Sequence, residues 1–80
     1  MSIRVLFVET SSTMTIQEIY TRLLSIVVPN MEYVQVLDDT VIKNAIIIRS
    51  DLDDRLLLSE LSEILPMIGF RGKYQVLKRL

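Results

Sequence analysis

The pattern of hydrophobic and polar positions divides this chain into six segments. Two segments repeat apolar side chains at helical spacing, and four are short runs rich in the β-branched and aromatic residues typical of strands. They follow one another in the order β-α-β-β-α-β. The 80 residues are expected to form one domain, residues 1–80, with a core that is thin because short chains bury a small share of their surface.

The first half of the chain predicts a strand and a capped helix. The strand covers residues 3–9, and its side chains should alternate between the two faces of a sheet. Thr15 can cap the helix that follows, and Glu18 lies three residues further on, which is the spacing of a capping box. Pro29 is expected to stop this helix, since proline cannot continue a regular helix.

The second half predicts a hairpin, a second helix and a last strand. Strands over residues 32–37 and 41–49 are separated by a short acidic turn, which favours an antiparallel pair. Asp53 is the predicted cap of the second helix, because a carboxylate is favourable at the positive end of the helix dipole. Pro66 should end that helix, and residues 74–80 form the last strand.

This order of elements resembles the split β-α-β pattern of the ferredoxin-like fold, and the resemblance covers the whole chain. It implies an α+β sandwich in which the first and third strands are central in an antiparallel sheet. Both helices would then cover one face of that sheet. Because the fold hosts many unrelated functions, the resemblance predicts an architecture and no reaction.

The first and third strands lack the clean alternation expected when one face of an antiparallel sheet is in water. We assign to the helix side Ile3, Val5, Phe7, Ile42, Ile46 and Ile48. The open face would then carry Leu6, Val8, Ala45 and Ile47, extended by Tyr33 and Leu37 and rimmed by Arg4, Lys43 and Arg49. An apolar centre with a charged rim is typical of an interface, whereas scattered surface aliphatic residues are the ordinary alternative.

Composition argues against most catalytic chemistry. The chain has no His and no Cys, so it lacks the commonest general acid–base group, thiolate nucleophiles and disulfides. Hydroxyl groups at residues 11–13 precede a helix, where phosphate can bind, but no glycine or lysine of a phosphate-binding loop accompanies them. We therefore expect no enzyme activity and no cofactor, and a small enzyme that uses carboxylates is the remote alternative.

The acidic side chains raise the question of a metal site. Those near the start of the second helix are Asp51, Asp53 and Asp54, which could bind Mg²⁺ or Ca²⁺ together with Asp38 or Asp39. A calcium-binding loop needs a glycine and a distant glutamate at fixed spacing, and neither is present here. Helix capping accounts for these acids, so no metal is expected.

Nucleic-acid binding is the main alternative to protein binding. The RNA-recognition module shares this strand order, and residues 6–8 are similar to the aromatic element of its first strand. Its third strand should carry aromatic residues for base stacking, and residues 43–48 contain none. The net charge is −1, although phosphate contacts remain open to Arg4, Lys43, Arg49, Arg71, Lys73, Lys78 and Arg79.

Taken together, these patterns predict a small non-enzymatic regulator, adaptor or inhibitor that binds protein through its open sheet face or a sheet edge. Self-association is its simplest use, and a nucleic-acid-binding regulator is the alternative. No apolar run is long enough to span a bilayer, so no membrane contact is expected. The first apolar run is too short for a signal peptide, which makes the cytoplasm the expected location.

Overall fold

The computed structural model describes residues 2–10 and 14–77 and contains the predicted succession of elements. The elements are β1 (Ser2–Val8), α1 (Ile16–Leu24), β2 (Met31–Leu37), β3 (Ala45–Ser50), α2 (Asp54–Met67) and β4 (Tyr74–Leu77). The strands form one sheet in the order β2-β3-β1-β4, and every neighbouring pair is antiparallel. The predicted ferredoxin-like α+β arrangement, with β1 and β3 central, is therefore confirmed.

Both predicted helix starts are confirmed by side-chain caps. The Thr15 hydroxyl accepts the Glu18 backbone N–H at 3.2 Å, and the Asp53 carboxylate accepts the Leu56 N–H at 2.9 Å. Each bond satisfies one of the backbone donors that a helix leaves unpaired at its first turn. Pro66 lies in the last turn of α2, which ends one residue later, as predicted.

Helix α1 ends earlier than Pro29, the residue predicted to stop it. Ser25 caps it, since both its backbone N–H and its hydroxyl donate to the Arg22 carbonyl, at 3.2 and 2.6 Å. The chain then leaves the helix, and the Val27 side chain is 90% exposed. A serine near a helix end can compete in this way for carbonyl groups of the last turn.

The turn between β2 and β3 is longer than predicted, so Lys43 lies in a loop and not in a strand. The Asp39 carboxylate accepts the backbone N–H groups of Val41 and Ile42, at 2.8 and 2.7 Å, and these two bonds lower the pKa of Asp39. Asn44 adopts a left-handed conformation with a φ of 55°, and its carbonyl accepts the Val8 N–H at 3.0 Å. β3 therefore begins at Ala45.

The hydrophobic core lies between the sheet and the two helices. Its strand residues include Leu6, Val8, Tyr33, Ile46 and Ile48, and its helix residues include Ile16, Ile19, Leu23, Leu57, Leu61, Ile64 and Leu65. Both helices thus cover the same face of the sheet. The opposite face is the open face, and none of its residues belongs to this core.

The predicted face assignment is correct for residues 45–48 of β3 and wrong for β1, and Ile42, assigned to the helix side, lies in the loop before β3. Leu6 lies directly opposite Ile46, and Val5 lies directly opposite Ile47. Directly opposite residues point to the same side of a sheet. Leu6 and Val8 are therefore under the helices, while the side chains of Ile3, Val5 and Phe7 point to the open face.

A β-bulge in β2 also changes the predicted placement of Tyr33. Tyr33 is paired with Ile48 and Gln35 with Ile47, so one extra residue, Val34, interrupts the alternation. As a result Tyr33 points into the core, whereas Leu37, opposite Ala45, points to the open face as predicted. The predicted contribution of Lys78 and Arg79 to the last strand lies outside the described residues.

Candidate protein-binding face

The open face has a continuous apolar centre. Strand register brings together Ile3, Val5 and Phe7 of β1, Ala45 and Ile47 of β3, Leu37 of β2 and Leu77 of β4. Val5 is at the middle, with Ile47 and Leu77 beside it on the neighbouring strands. These seven side chains are called the apolar patch below.

The side chains of the patch differ in exposure. Val5 and Ala45 are fully buried although they are outside the core. Towards the margins the exposure rises, to 37% for Ile3 and 42% for Leu77. A partner that covers this face would therefore remove the outer side chains from water and would find the central ones already packed.

The polar residues of the open face lie around the patch and balance one another in charge. Arg49 and Glu32 face each other across β3 and β2, with 2.7 Å between guanidinium Nη2 and carboxylate Oε1. Gln35 and Gln75 are exposed on the two edge strands. At the Phe7 end of the face, the oppositely charged Glu9 and Lys73 lie side by side, and the Glu9 N–H donates to the Lys73 carbonyl at 2.8 Å. The described part of this face thus has an apolar middle and a margin in which the charges balance, which is the organisation of an interface.

Arg4, predicted to rim the open face, lies instead on the helix side and is only 6% exposed. Its guanidinium Nε is 3.0 Å from the Asp54 carboxylate, Nη2 donates to the Leu52 carbonyl at 3.4 Å, and Nη1 donates to the Ser2 hydroxyl. These contacts join the start of β1 to the start of α2. Arg4 therefore stabilises the fold and would not reach a partner on the open face.

Of the residues predicted to bind a partner, the structure brings Leu37, Ala45, Ile47 and Arg49 together on the open face. It places Arg4, Leu6, Val8 and Tyr33 on the helix side and Lys43 in the exposed loop that precedes β3. The prediction missed Ile3, Val5, Phe7 and Leu77. Only the pairing of β1 with β3 and β4 identifies them, since their sequence pattern is equally compatible with either face.

Elsewhere the described residues offer little for chemistry. A surface cleft of about 420 Å³ is lined by Glu9, Met14, Arg22 and residues 69–72, but Arg22 is already bonded to the Ile68 carbonyl at 2.8 Å. Within residues 2–10 and 14–77, no group of three or more acidic, His or Cys side chains could hold a metal ion. This cleft therefore does not compete with the open face as a functional site.

The core contains one buried hydroxyl, that of Tyr33, which has no hydrogen-bond partner among the described residues. Burial, followed by the negative charge of Glu60, raises the pKa of Tyr33 to about 12. A phenol with so high a pKa stays protonated at neutral pH and is a poor acid or base there. We therefore assign this tyrosine a packing role.

Comparisons with protein-family models, with curated proteins and with solved structures find no match to this chain. Among the described residues, no helix is both long enough and apolar enough to cross a membrane.

Proposed function

We propose that this chain is a non-enzymatic protein-binding regulator, adaptor or inhibitor that makes its contact through the open face. The observation that carries the proposal is the apolar patch, which crosses all four strands and lies outside the core. A sheet covered by helices on one side needs apolar residues only on that side. Apolar residues on the second side are favourable if another protein covers them and removes them from water.

The size of the open face is compatible with this reading. Its strands have 7, 7, 6 and 4 residues, and at about 3.3 Å per residue with about 4.8 Å between strands the whole face covers roughly 380 Å², of which the patch is the middle part. The largest apolar patch on a typical monomer covers about 300–600 Å² and is often functional. Burying such a surface is favourable by roughly 25 cal/mol per Å² before the entropic cost of association is subtracted.

Capture from a lysate of cells that produce the chain tests this proposal, with and without nuclease and at a salt concentration near the physiological value. The comparison uses the wild type, Ile47→Glu on the open face and Leu58→Glu on α2, where Leu58 is 45% exposed. We expect wild type and Leu58→Glu to retain the same bound protein, including any untagged copy of this chain, and Ile47→Glu to lose it. Circular dichroism should show all three folded.

Three outcomes would contradict the proposal. If Ile47→Glu and Leu58→Glu bind as the wild type does, or if the wild type captures nothing, the open face is not the contact. If recovery disappears with nuclease, nucleic acid is the ligand, and exposed cations such as Lys43 and Lys73 become the residues to change.

A further inference from the structure

Resting on that proposed function, we propose that the partner on the open face is a second copy of this chain, packed face to face about a two-fold axis. The helices would lie on the outside, and the two sheets would form the middle of a four-layer assembly. Packed sheets lie about 10 Å apart with their strands within about 30° of one another. The apolar patches of both copies would then form a second core between the sheets.

The charge of the open face fits a second copy. A two-fold interface places the same surface on both sides, so an unbalanced charge on that surface would repel itself. Here the Arg49–Glu32 pair is neutral within each copy, and the edge strands contribute the uncharged Gln35 and Gln75. A strongly charged partner would find no complementary charge on this part of the surface, whereas an identical copy brings only apolar and balanced groups.

The area of the face favours a weak pairing. Two faces of roughly 380 Å² bury about 760 Å² together, below the ~1,000 Å² expected of a stable specific interface, so a transient dimer is the form that fits. Side chains that project from the sheet add to this area, which is calculated for a flat surface. We therefore expect a reversible dimer with a dissociation constant of about 10–100 µM.

The structure also favours the face over an edge of the sheet as the contact between copies. Edge-to-edge pairing requires a continuous row of free backbone groups along a strand. In β2 the bulge at Val34 interrupts that row, and the Val34 carbonyl already accepts the Tyr20 hydroxyl at 3.2 Å. β2 therefore presents only short stretches of regular edge, while the open face is continuous.

Sedimentation velocity on the untagged chain, from about 5 µM to about 500 µM, tests the dimer. The wild type should change from monomer to dimer over this range, and Leu58→Glu should do the same. Ile47→Glu should raise the dissociation constant at least about thirtyfold, because each dimer would bury two carboxylates in an apolar contact. Its monomer should remain folded, since Ile47 is outside the core.

Cross-linking tests which surfaces meet. The chain has no native Cys, so a single introduced thiol reports one position. Ile47→Cys would place two thiols within reach of a short bis-maleimide across the two-fold axis, and we expect a covalent dimer. Ser59→Cys, exposed on α2, is the matched control and should remain a monomer at the same concentration.

The outcomes separate this inference from the proposed function. A wild type that stays monomeric up to about 500 µM, while lysate capture still requires Ile47, would overturn the second copy and leave protein binding intact. A dissociation constant that Ile47→Glu leaves unchanged would also overturn the face-to-face arrangement. So would a covalent dimer that forms through Ser59→Cys and not through Ile47→Cys. Loss of both dimerisation and capture in the wild type would remove the proposed function as well.

Discussion

The two faces of this sheet carry similar amounts of apolar side chain but differ in what covers them. On the helix side Leu6, Ile46 and Ile48 are fully buried by α1 and α2. On the open face Val5 and Ala45 are fully buried, whereas Ile3 is 37% and Leu77 42% exposed, and none of these four residues belongs to the core under the helices. The same kind of residue is therefore core on one side and surface on the other.

This difference shows that burial by itself does not identify the core of a thin domain. Leu6 and Val5 are adjacent in β1 and equally inaccessible, yet only Leu6 belongs to the cluster packed between sheet and helices. Strands that are apolar on both sides are typical of sheets covered on both sides. We infer that the sequence is adapted to a second cover, which the proposed partner would supply.

The largest difference between the two faces should appear when one side chain on each face is shortened. Leu6→Ala should lower the free energy of unfolding by about 3 kcal/mol, because it leaves a cavity under the helices. Ile47→Ala in dilute solution should cost about 1 kcal/mol, since its site is half-buried and can collapse or fill with water. Urea titrations at a few micromolar chain measure both, and equal losses would show that the two faces do not differ as described.

A second test concerns the cations on the two sides. Arg4→Met should lower the free energy of unfolding by about 2 kcal/mol, because it removes a nearly buried guanidinium that joins β1 to Asp54 and to the Leu52 carbonyl. Arg49→Met is the matched control and should change it by less than about 0.5 kcal/mol, since the Arg49–Glu32 pair is roughly half exposed. Chemical denaturation gives both values, and the reverse order would contradict the face assignment.

The smallest effect should come from the hydroxyl of Tyr33. Tyr33→Phe is expected to raise the free energy of unfolding by about 1 kcal/mol at pH 7, because it removes a buried polar group without a described partner. The pKa of Tyr33 rises from 10.0 to about 12 on folding, so ionisation of the phenol does not affect the stability of the wild type below pH 10 and lowers it as the pH rises from 10 towards 12.

Tyr33→Phe should therefore lose less stability than the wild type between those pH values. Urea titrations of the two proteins at neutral and alkaline pH measure the difference. A variant that is clearly less stable at pH 7 would mean that the hydroxyl has a partner after all.

Local chemistry made much of the fold predictable. Thr15 and Asp53 each accept a backbone N–H at a helix start, an interaction decided by residues only three positions apart. Pro66 marked the end of α2 because a proline lacks the backbone N–H that would donate to the carbonyl four residues earlier. The order of elements followed from such local signals, and with it the ferredoxin-like arrangement.

The face of each strand was harder to predict because it depends on partners distant in sequence. In β1 the odd-numbered residues 3, 5 and 7 are as apolar as Leu6 and Val8, so alternation could not choose between the two sides. Arg4 suggested that the even-numbered side was exposed, yet its charge is accommodated by Asp54, fifty positions away. The sequence has no glycine at this position that would indicate the bulge at Val34. The bulge places Tyr33 in the core.

The most direct test of the central claim is a concentration series of methyl NMR spectra from the wild type, from about 20 µM to about 1 mM. We expect the methyl resonances of Ile3, Ile47 and Leu77 on the open face to shift progressively as the concentration rises. Ile64 and Leu65 of α2, on the far side of the core, should not shift. Shifts confined to the helices, or spectra independent of concentration, would contradict the claim that a second copy covers the open face.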